Sequence, residues 1–113
     1  MLNRSAIILV KKQPFLDWLK GLPDPVREDM TLSELNQDST VFLLPDWDDD
    51  TERDKLVRDG FDVMFEHELE GWWNDERAWP RTRSFAVFRT WFDVQTHSML
   101  VDLVEGPIQD DEV

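Results

Sequence analysis

The sequence predicts an α+β domain, in which a three-stranded sheet packs against a long acidic amphipathic helix and a Phe/Trp-rich helix. The expected order is strand, helix, helix, strand, helix, helix, strand. Three observations carry this expectation. Residues 5–10, 40–44 and 98–104 are short apolar runs rich in Ile, Val, Leu or Phe, the composition of strands. Between them, apolar residues recur at helical spacing. Hydrophobic residues make up 41% of the 113, with seven Phe and six Trp. That is too many for a disordered acidic chain and enough for one core, so residues 1–113 read as a single domain.

The elements follow in order. The first strand, residues 5–10, lacks clean alternation, as strands covered on both faces do. Pro14 suits a first helical position, and Phe15, Trp18, Leu19 and Leu22 follow on one helical face before Gly21 and Pro23 end the helix. Thr31 to Glu34 has the form of a capping box opening a short second helix. After the strand at 40–44, Asp49 to Glu52 opens a long helix expected to reach Trp73, with Gly60 as a point of kinking or splitting. Pro80 is expected to open the last helix, running to about Val94. The third strand is placed at 98–104. The first two strands are expected to run parallel, since a helical crossover separates them. A homodimer would cover the outer faces of these apolar strands. Residues 107–113 read as a frayed acidic tail.

The net charge is -13, and ten of those charges fall within residues 46–76, where only Arg53, Lys55 and Arg58 oppose thirteen carboxylates. Such acidity repels phosphate backbones and anionic lipid, which argues against nucleic acid and membrane surfaces as partners. No apolar run is long enough to span a membrane, and the chain reads as cytoplasmic. The chain has no cysteine, so disulfides and thiolate chemistry are excluded. With four glycines and no phosphate-binding loop, no cofactor is expected.

Projected at 100° per residue, the long helix places Val57, Phe61, Met64, Phe65 and Trp72 on one arc and Asp59, Asp62, Glu66 and Glu70 on the other. The four carboxylates are spaced 3, 4 and 4, so they stack along one line. Like charges at this spacing destabilise a helix by roughly 0.2–0.5 kcal/mol per pair. Two readings follow: a solvated face that keeps the protein soluble, or a docking surface for a basic partner with Trp72 and Trp73 at its rim. Glu68 lies within the apolar arc. A carboxylate there needs a partner or a proton. Arg81, projecting onto the Phe85, Phe88 and Phe92 stripe of the last helix, is the expected partner in a buried ion pair. The rival reading gives Glu68 a catalytic or ligand-binding role, with His97 or Asp102, in a cleft between helix and sheet. Asp46, Asp48 and Asp50 imitate the start of a calcium loop, but Thr51 and Val57 stand where that loop needs Gly and Glu. Helix capping explains these aspartates, and no metal site is expected.

Several patches are similar to a group of small, acidic, uncharacterised bacterial proteins: Pro14 to Trp18, Leu43 to Pro45, Trp79-Pro80 with Trp91-Phe92, and His97 to Leu103. The resemblance covers most of the chain and implies no activity and no catalytic residues. The residues point first to a non-enzymatic protein-interaction module, acting on a basic protein surface or through self-association.

Overall fold

The computed structural model of the chain describes residues 2–110. The architecture is α+β. Strands β1 (Arg4–Lys11), β2 (Val41–Pro45) and β3 (Phe92–His97) form one sheet in the order β2-β1-β3. The helices are α1 (Gln13–Lys20), α2 (Leu32–Leu35), α3 (Asp50–Glu70) and α4 (Phe85–Trp91). A short 3-10 turn, Glu76–Ala78, lies between the last two.

The central strand lacks clean alternation in burial, as expected, since Ala6 on its other face is buried too. Ser5, Ile7, Leu9 and Lys11 are all buried, with Ile7 and Leu9 fully enclosed. They share a face with Phe42 and Leu44 of β2 and with Phe92, Val94 and Thr96 of β3, because residues directly opposite in an antiparallel pair point the same way. The core against this face gathers Phe15, Leu16 and Leu19 of α1, Val57, Met64, Phe65 and Leu69 of α3, and Phe88 of α4. The other face carries Ile8 and Val10, with Val41 and Leu43 of β2 about half exposed at 52% and 50%.

All pairings are antiparallel, which corrects the parallel arrangement expected for the first two strands. A single crossover helix would return the chain to the start of β1. Here two helices intervene, and Asn36, just past α2, still sits beside the end of β1. Its Oδ1 accepts from the Lys11 amide at 2.8 Å, and its Nδ2 donates to the Lys11 carbonyl at 3.0 Å. A strand starting from that end has to run back along β1. The amide side chain also extends the ladder past Ile8, the last residue that β2 pairs.

The third strand also differs from expectation. Phe92, Val94 and Thr96 turn inward while Asp93, Gln95 and His97 turn outward, the period-2 pattern of a half-buried antiparallel strand. Residues 98–104, where the strand was expected, form no strand. Met99, Val101 and Leu103 are 78%, 68% and 91% exposed, and the Leu2 amide donates to the Leu100 carbonyl. The last helix starts not at Pro80 but at Ser84, whose hydroxyl accepts from the Val87 amide at 3.2 Å, and it stops where Phe92 turns extended. Of the expected tail, residues 107–110 are exposed and carry no helix or strand, and residues 111–113 lie outside the described residues.

Two helix starts form as the sequence indicates. Thr31 and Glu34 exchange the reciprocal bonds of a capping box. Asp49 caps α3 by accepting from the Glu52 amide at 2.8 Å. The helix it opens is continuous through Gly60 and ends at Glu70 rather than Trp73. A Cβ at Gly60 would meet nothing within 4 Å. Gly60→Ala is therefore expected to stabilise the fold by about 1 kcal/mol, through helix propensity and a less flexible unfolded chain. Urea denaturation checks this, and an unchanged or lowered midpoint would contradict it.

Candidate functional site

The second half of α3 carries the acidic line. Asp59, Asp62, Glu66 and Glu70 are all exposed, because the opposite arc of the helix is taken up by Met64, Phe65 and Leu69 in the core. The stripe is not wholly free of cations. Lys55 Nζ reaches Asp59 Oδ2 at 2.6 Å, one turn earlier, and this hydrogen bond, with the charge behind it, raises the lysine pKa. Asp62, Glu66 and Glu70 make no ion pair among the described residues. Val63 stands beside them, 66% exposed. The stripe is therefore three unpaired carboxylates over two helical turns, with an apolar side chain alongside.

The tryptophans divide. Trp79 is buried and its indole donates to the Trp73 carbonyl at 2.7 Å. Trp73 itself is half-buried against the core. Trp72, just beyond the helix end, is 40% exposed and is the aromatic of this turn that reaches solvent at the end of the acidic stripe. The turn that follows is clamped by Asp75. Its carboxylate accepts from the Arg77 guanidinium and from the Arg77 amide, and these bonds hold the carboxyl down to about 2.

Glu68 is buried, as the helical projection requires, but its partner is Lys11 rather than Arg81. Lys11 Nζ lies 3.3 Å from Glu68 Oε2, and both side chains are 4% exposed. The second carboxylate oxygen, Oε1, is buried with no hydrogen-bond partner. Arg81 is exposed and makes no ion pair among the described residues. It falls in the non-helical stretch before Ser84, so no helical face aims it at α3. The signal for Lys11 was present: counting Ser5, Ile7, Leu9 and Lys11 by twos puts the lysine on the inner face of β1. Its ammonium also lies 5.5 Å from the centroid of the Phe15 ring. The pair joins the end of the central strand to the last turns of α3.

The residues proposed for a catalytic cleft are not brought together. Glu68 and Lys11 lie on the inner side of the sheet. His97 pairs with Ala6 and faces the outer side, exposed. Asp102 is exposed, and its carboxylate accepts from the Val104 amide at 2.9 Å. Of the calcium-like aspartates, Asp46 accepts from the Ser5 hydroxyl at 3.1 Å. No group of three or more His, Asp or Glu side chains among the described residues is placed to hold a metal ion. No helix among them is long and apolar enough to cross a membrane.

Comparison with family models, with curated proteins and with solved structures finds no match to this chain.

Proposed function

We propose that this protein is a non-enzymatic interaction module whose α3 face, through Asp62, Glu66 and Glu70, docks on a basic protein surface, with Trp72 at the rim of the contact. The observation that carries the reading is the set of three exposed carboxylates that no internal cation neutralises. The stripe opposes helix formation through like-charge repulsion, and a basic partner would turn that repulsion into attraction. Asp59 contributes less to the contact, because Lys55 already occupies it.

The triple variant Asp62→Asn, Glu66→Gln, Glu70→Gln separates binding from folding. Removing the two i,i+4 like-charge pairs, Asp62–Glu66 and Glu66–Glu70, is expected to stabilise the helix by roughly 0.4–1 kcal/mol, so loss of binding cannot be laid to unfolding. Affinity capture from the source cell at low salt should recover a basic protein with the native chain. That protein should elute as salt rises, since screening weakens contacts between exposed charges, and it should be missing with the variant. A partner set that is neutral or acidic, salt-insensitive, or unchanged by the variant would sink the proposal.

Self-association is a second reading, favoured by the outer sheet face, where Val41 and Leu43 stand half exposed beside Ile8. A second copy laid on this face would cover them.

A further inference from the structure

We propose that the cleft between α3, α4 and β3 binds a small organic oxyanion, a phosphate or carboxylate carried on an apolar body. The cleft encloses about 610 Å³, within the usual range for small-molecule sites. It is distinct from the acidic stripe, since it opens beside the first half of α3.

The charge of its lining runs against that of the chain. Four of the twelve lysines and arginines line it, namely Lys12, Arg53, Arg58 and Arg89, against two carboxylates, Asp54 and Asp93. Both carboxylates are already engaged. Asp54 lies 3.0 Å from Arg53, and Asp93 lies 3.8 Å from Lys12. Arg58 and Arg89 have no carboxylate partner among the described residues, although the chain holds 25 acidic side chains. Both guanidinium groups instead converge on one ring. Arg58 Cζ is 4.8 Å and Arg89 Cζ 6.0 Å from the centroid of Phe85.

The charges of both cleft arginines are therefore left without a counter-ion, and the quadrupole of the Phe85 ring stabilises them only in part. An oxyanion bound in the cleft would neutralise them. The planar guanidinium fork matches phosphate and carboxylate oxygens in paired hydrogen bonds. The lining is mostly polar, with Val57, Phe85 and Val94 supplying a smaller apolar part, against which a small hydrocarbon or aromatic body can rest beside the anion.

The test is a titration followed by side-chain NMR and calorimetry, using phenyl phosphate, benzoate and inorganic phosphate. Saturable binding of phenyl phosphate or benzoate is expected, tighter than that of inorganic phosphate, with shifts at the Arg58 and Arg89 Nε–H groups and at Phe85. Whichever of the two aromatic anions binds more tightly identifies the head group. Arg58→Gln with Arg89→Gln should weaken binding about tenfold or more, the loss expected for charged hydrogen bonds. Arg89→Lys, which keeps the charge but loses the fork, should fall between that variant and the native chain. Arg81→Gln, outside the cleft, should leave affinity unchanged. Unchanged circular dichroism and thermal midpoint verify that the variants fold. Absence of saturable binding at millimolar probe, or equal binding by the native chain and the folded double variant, would overturn the proposal.

Discussion

Replacing Glu68 by Ala should lower the free energy of unfolding by about 3–5 kcal/mol, as should Lys11→Ala. Each change strands one charge inside the core. The lost attraction is not the main cost: an ion pair this enclosed gives little net stability, because desolvating both groups consumes most of what their attraction returns. Glu68 Oε1 adds to that burden, since it is buried without a hydrogen-bond partner. The double replacement Lys11→Met, Glu68→Leu should therefore lose far less than either single change and can even gain stability. Urea unfolding of the three variants checks the pattern. A loss below about 0.5 kcal/mol for Glu68→Ala would mean the carboxylate is at the surface.

The second large effect belongs to Phe65. Phe65→Ala should cost about 3–5 kcal/mol. The ring is fully buried and meets Phe88, Trp91 and Phe92, with centroids 6.0, 5.5 and 5.5 Å away. It thus ties α3 to α4 and to the start of β3 in one contact. Small domains are stable by only about 5–15 kcal/mol, so the variant would stand near the edge of folding. Phe85→Ala, at a half-buried ring on the cleft side, should cost less. A Phe65→Ala variant that unfolds with the native midpoint would refute this account of the core.

What was legible in the sequence follows from periodicity. The 3.6-residue pattern of α3 separated Met64, Phe65 and Glu68 from Asp62, Glu66 and Glu70, and the structure buries the first group and exposes the second. Local capping was equally readable at Thr31 and Asp49, because those bonds form within one turn. Expectation and structure part where local pattern does not decide. Residues 98–104 are more apolar than 92–97, yet the strand forms at 92–97, because an edge strand needs only one apolar face and Phe92, Val94 and Thr96 supply it. Strand direction depended on where α2 leaves the chain, which Asn36 fixes through contacts 25 residues away in sequence. The pairing of Lys11 with Glu68 is illegible for the same reason: the two are distant in sequence and meet only when the sheet is laid against α3. The cleft carrying Arg58 and Arg89 was invisible too. It assembles basic residues from separate elements, while the acidity around Arg58 masks them in any count along the chain.

We propose the unpaired stripe on α3, and not the apolar outer face of the sheet, as the recognition surface. Backbone amide NMR of the labelled protein, titrated with the basic protein that the native chain captures, tests it most directly. The largest shifts should fall at Asp62, Glu66, Glu70 and Trp72 and should fade as salt is added. Shifts centred instead on Ile8, Val41 and Leu43, and indifferent to salt, would contradict the claim and assign recognition to the open sheet.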